Sequence, residues 1–150
     1  MMQEQIERDI KSALLAGDKV KVETLKTLKS SLQYEAVAKS VKPGQLTDEQ
    51  VRTVLSREAK KRQEAADLYK TAGETEREQK ELAERAVIDS YLPEQLSEDK
   101  VKEIVELEVK KIDNPGMAQM GQIIGAVRIQ TKTQADGALI ARLVKEALNS

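Results

Sequence analysis

A chain of 150 residues with no cysteine and no histidine offers no thiolate nucleophile, disulfide frame or Cys/His metal site, and it lacks the commonest general base. Phe and Trp are absent and only Tyr34, Tyr69 and Tyr91 are aromatic, so the core has to be aliphatic and stacking on unpaired bases is nearly excluded. The net charge of −1 is unevenly spread, residues 1–44 carrying +2, 45–93 carrying −2, 94–114 carrying −3 and 115–150 carrying +2, which makes the two ends the candidate anion-facing parts.

A 34% charged share with mean hydropathy −0.54, in a chain dominated by Ala, Leu, Glu, Lys, Gln and Val, favours helices. The charged N-terminal stretch has no apolar signal-type segment and no apolar run is long enough to span a bilayer, so the expectation is a cytoplasmic protein without membrane contact.

Ile6, Ile10, Ala13 and Leu14 recur at helical spacing and Gly17 follows as a left-handed cap, which predicts a first helix over about residues 2–16. Asp18 is the candidate N-cap of a second helix whose stripe is Val22, Leu25, Leu28, Leu32 and Ala36, ended by Pro43-Gly44. Thr47 and Gln50 form a capping box that opens a third helix, with Val51, Val54, Leu55, Ala59, Ala65, Ala66, Leu68 and Tyr69 as its apolar face and Gly73 as its stop. Thr75 and Glu78 repeat the capping-box spacing before a fourth, carrying Leu82, Ala86, Ile88, Tyr91 and Leu92 up to Pro93.

Pro93 followed by the cap-like Ser97-Glu98-Asp99 marks a boundary between an N-terminal unit, 1–93, and a smaller one, 94–150. In the second unit, one stripe is Val101, Ile104, Val105, Val109 and Ile112. It is broken at Asn114-Pro115-Gly116, and a second stripe of Met117, Met120, Ile124 and Val127 follows. The last helix opens at Asp136 and carries Leu139, Ile140, Leu143, Val144, Ala147 and Leu148. No strand-like alternation or repeat occurs. The expected architecture is all-α, four helices followed by three.

Nucleophilic chemistry would have to use a Ser–Lys or Thr–Lys pair. Ser30 and Ser31 beside Lys29 come nearest, but adjacent helical residues diverge by about 100°, so no catalytic residue is assigned. The acidic run Glu74, Glu76, Glu78, Glu81 and Glu84 reads as a solvated helix start favoured by the dipole, with Lys80 and Arg85 interleaved, and no metal or cofactor is implied.

Arg128, Lys132, Arg142 and Lys145 are the candidate phosphate-binding residues, set around the turn at 131–137. Arg57, Lys60, Lys61 and Arg62 form a weaker second candidate, with Glu58 and Glu64 close enough to neutralise them. Gly121 and Gly125 have GxxxG spacing, which in a soluble protein predicts close helix packing, with a backbone surface for a phosphate or partner as the alternative.

LKTLKSSLQYE at 25–35, LTDEQVRTVLSREAKKRQE at 46–64, YLPEQLS at 91–97, MGQIIGAV at 120–127 and ADGALIARLVKEAL at 135–148 together resemble the GatB/YqeY family over essentially the whole chain. Met120, Gly121, Gly125, Asp136 and Gly137 lie in the last two of these motifs. The resemblance implies a helical N-terminal domain and a three-helix C-terminal domain similar to the tail of the amidotransferase B subunit, which touches tRNA during amidation of misacylated Glu-tRNA(Gln) or Asp-tRNA(Asn). It carries the label of a carbon–nitrogen ligase with glutamine as amide donor, although the kinase and amidase centres of that enzyme lie outside the homologous tail. The implied partners are therefore tRNA or a component of the amidotransferase machinery. A helical protein–protein adaptor is the alternative. Gln134 stands where relatives have Arg, and Lys21 and Lys26 stand where they often have Arg, which keeps the charge and loses the bidentate fork.

Overall fold

The computed structural model describes residues 1–150 and contains seven α-helices, one short 3-10 turn and no strand. α1 (Met2–Ala16) ends at Gly17, whose φ of 72° puts it in the left-handed region that glycine tolerates without a Cβ penalty. α2 (Lys19–Ala38) follows at once, capped by the Asp18 carboxylate, which accepts from the Lys21 N–H at 3.1 Å. It stops before Pro43. The Val41 and Ser40 N–H groups bond back to Ala36 and Val37, and Ser40 adopts a φ of 55°, so the helix closes in a Schellman motif with serine in the position glycine usually holds.

α3 (Asp48–Thr71) starts with the expected capping box, the Gln50 N–H donating to Thr47 Oγ1 at 3.1 Å and the Thr47 N–H to Gln50 Oε1 at 2.9 Å. α4 (Thr75–Asp89) departs from expectation, because its N-cap is Glu74, without a side-chain cap, and Thr75 is already helical. The reason lies in the turn. The Glu74 N–H closes the end of α3 on the Tyr69 carbonyl, so this one residue ends one helix and begins the next. α4 also stops at Asp89, leaving Tyr91 and Leu92 beyond it.

α5 (Glu98–Lys110) is capped by Ser97. A 3-10 turn over Met117–Gln119 leads into α6 (Met120–Thr131), and α7 (Gly137–Asn149) opens at the Asp136 cap. No helix is long and apolar enough to cross a membrane.

Contacts divide the chain into two compact units, Met1–Leu92 and Pro93–Ser150. In the first, Ile6, Ile10, Leu25, Leu28, Leu32, Val51, Leu55 and Ile88 mesh into one core, with Met2, Val87, Tyr91 and Leu92 packed around it. The Tyr91 hydroxyl donates to the Asp9 carboxylate and joins the end of this unit to α1. Burial and that carboxylate raise the phenol pKa above its ordinary value, so the neutral form is the one the fold holds.

α4 brings only one fully buried side chain, Ile88 near its end. The rest of its hold on α3 is largely electrostatic. Arg62, 16% exposed, has Nη1 3.5 Å from Glu58 and Nε 2.9 Å from Glu84 and 3.9 Å from Glu81, in the geometry of ion pairs rather than aligned hydrogen bonds. Arg85 donates to Gln63, and Arg77 stacks over the Tyr69 ring. Leu68 was expected on the buried face and is 73% exposed, because α4 covers the side of α3 carrying Ala66. Leu14 is exposed likewise, Ala13 taking the inward position.

In the second unit Val101, Val105, Ile123, Val127, Ile140, Leu143 and Val144 form a core of their own from α5, α6 and α7. Glu108 on α5 accepts from Lys111 and Gln130, and the Lys111 bond is the main reason its carboxyl is held below the usual range.

Three outcomes follow from this packing. Ile140→Ala is expected to destabilise by about 2–5 kcal/mol in chemical denaturation, the usual cost of emptying a core site. Arg62→Ala leaves three carboxylates facing one another and is expected to destabilise by roughly 1–3 kcal/mol, with amide exchange accelerating first in Thr75–Glu84. We propose that the two units are separable, so limited proteolysis should cut first between 89 and 94, ahead of the segment 94–96 that is hydrogen-bonded to the 131–134 turn; a first cut within Met120–Val127 would refute that.

Candidate phosphate-binding surface

The cations marked out in the sequence fall into two states. Around α3 they are internally matched. Arg57 Nη2 lies 2.8 Å from Glu35, Lys61 Nζ lies 3.4 Å from the buried Glu58, Arg62 is shared among three carboxylates and Lys60 is also engaged. Such a cluster projects little net field. Nor do Ser30, Ser31 and Lys29 converge: Lys29 Nζ pairs with Glu7 at 2.8 Å, the Ser31 hydroxyl donates to Glu58 at 3.3 Å, and Ser30 is exposed.

In the second unit Arg142 is matched too, donating to Glu98 and, at 3.0 Å, to Glu146. Arg128, Lys132 and Lys145 are exposed. The Arg128 guanidinium carbon lies 3.9 Å from where a Cβ on Gly137 would be, so this cation sits against the first residue of α7, next to the Asp136 cap that accepts from the Ala138 N–H at 3.4 Å. Two positive groups, the guanidinium and the helix start, therefore share that corner with one carboxylate.

Gly121, Gly125, Arg128 and Lys132 are spaced four, three and four residues apart and run along one side of α6. The structure corrects the packing role expected for the glycines: a Cβ at either position meets nothing within 4 Å. α6 turns Ile123, Val127 and Thr131 inward, which places the glycine side outward, where it presents bare backbone rather than a helix contact. Met120, by contrast, packs against the core. No acidic residue occurs between Asp113 and Asp136 in the sequence, and the carboxylates that come near α6 in space are Glu108 of α5, which accepts from Gln130, and Asp136 at the Arg128 corner.

The 131–134 turn is tied down by groups that the sequence pattern does not mark. The Gln95 side chain donates to the Thr133 carbonyl at 2.8 Å, the Gln134 side chain donates to the Glu94 carbonyl at 3.0 Å, and the Leu96 N–H donates to the Gln134 carbonyl at 2.8 Å. Gln134 thus serves as a tether. Amides are legible only as hydrogen-bonding groups, and nothing in a sequence says which carbonyl they will find.

Two helical units, the second with an acid-free basic strip on its central helix, define a class of small all-α protein. The chain belongs to the YqeY-like protein family, whose model matches residues 3–148. No curated protein matches it significantly.

The open surroundings of the glycines reverse the expected sign of substitution there. Gly121→Ala and Gly125→Ala should each stabilise by roughly 0.5–1 kcal/mol through helix propensity, measured by chemical denaturation. A loss of stability would restore the close-packing reading.

Proposed function

We propose that the protein is an accessory RNA-binding module related to the tRNA-dependent amidotransferases, one that engages the phosphate backbone of tRNA through the outer side of α6 and has no catalytic centre of its own. The observation that carries this reading is the acid-free strip from Asn114 to Ala135, in which exposed Arg128 and Lys132 continue the line of two open glycines. Phosphates are held by cations and need close approach. Cβ-free backbone permits that approach, and base reading is not required. The link to amidotransferases rests on the resemblance of 120–127 and 135–148 to the tail of their B subunit. Arg142, neutralised by two carboxylates, is assigned no part in this contact, and Lys145 is a peripheral one.

A second reading, a protein adaptor, is favoured by Ile129, 76% exposed among these cations, and by exposed Met117 just before α6.

Titration of labelled unfractionated tRNA at several salt concentrations separates the two. An RNA module loses affinity with a negative slope in log salt, and Arg128→Ala with Lys132→Ala reduces that slope by up to about 1.4–1.8. Arg57→Ala with Lys61→Ala leaves it unchanged. No salt dependence in the parent chain would favour the adaptor.

A further inference from the structure

Lys132 follows α6 with φ 48° and ψ −116°. This lies outside the left-handed helical basin and matches the first central position of a type II′ turn, which is glycine's place because a Cβ there crowds the backbone. The turn is closed by the Gln134 N–H donating to the Thr131 carbonyl at 2.8 Å. A lysine persists in such a conformation only where its surroundings impose it.

Here they do so on both sides. Thr131 is fully buried, its hydroxyl donating to the Val127 carbonyl at 3.0 Å. Thr133 and Gln134 are tied to residues 94–96 by three hydrogen bonds, two of them from the side chains of Gln95 and Gln134. The buried end and the three tethers fix the turn. The lysine between them is exposed and contributes nothing to the core.

We propose that the turn at 131–134 is a strained presenting device: Lys132 occupies a glycine position because its ammonium contacts phosphodiester oxygens of the bound RNA, and Gln95 and Gln134 are positioning residues that hold it there. This rests on the RNA-binding reading above and adds to it a particular contact and its mechanical support. Glycine would suit the backbone better. Lysine at this position is explained by a contact outside the chain.

The test compares full-length variants by thermal melting without ligand and by salt-dependent binding of unfractionated tRNA. Lys132→Gly should raise the melting midpoint by about 2–4 °C while reducing the salt slope of binding by about 0.9. Lys132→Arg, which keeps both charge and strain, should resemble the parent. Gln95→Ala with Gln134→Ala changes no formal charge, and it should weaken tRNA binding at constant salt and abolish most of the further effect of Lys132→Gly. A merely structural tether would not alter binding at unchanged charge. If Lys132→Gly fails to raise the midpoint, the strain is not real and the proposal falls. If it stabilises but tRNA affinity and slope stay at parental values, Lys132 is no ligand contact and the proposal falls while the RNA-binding reading stands. If the parent itself binds tRNA without salt dependence, both fall together.

Discussion

The absence of Phe and Trp forces the cores to be closed by branched aliphatic side chains, and the arrangement of both units follows from it. Val, Leu and Ile each cover little area, so many have to converge. In the first unit α1, α2 and the first half of α3 do so, and in the second α5, α6 and α7 contribute seven such residues from three short helices. Where aliphatic side chains run out, along the second half of α3 and most of α4, Arg62 and its three carboxylates take over.

The same distribution decides where charge is available to a partner. A cation that holds two helices together is already engaged by its carboxylates, as Arg62 with Glu84 of α4 and Arg142 with Glu98 of α5 show. Density of basic residues is therefore a poor guide to a binding surface. The cluster at 57–62 is the densest in the chain and is internally compensated, whereas α6 carries a single arginine and stands out because no acid lies near it in sequence.

Helix type and most helix starts were legible because capping residues and apolar spacing act locally. Asp18, Thr47, Ser97 and Asp136 each cap the helix that their position announces. The start of α4 was misread because capping-box spacing at Thr75 and Glu78 competes with the needs of the preceding helix end, a contest that only the turn itself resolves. Exposure of Leu68 and the openness of Gly121 and Gly125 depend on which neighbouring helix covers which side, a tertiary matter outside any periodicity. Of the candidate surface, the cations could be named from sequence but not their partners. The unusual backbone of Lys132 had no signal at all, since its neighbours contain no glycine to suggest a tight turn.

The α3–α4 hairpin gives the molecule two kinds of cohesion that respond differently to the solution around it. Rising ionic strength screens charge pairs, the exposed ones most and the partly buried Arg62 cluster less, while strongly hydrated anions such as sulfate or phosphate reinforce aliphatic burial. Added salt would therefore loosen the hairpin's exposed pairs, such as Arg85 with Asp89, well before its Arg62 cluster, while Ile88 keeps the end of α4 in the aliphatic core.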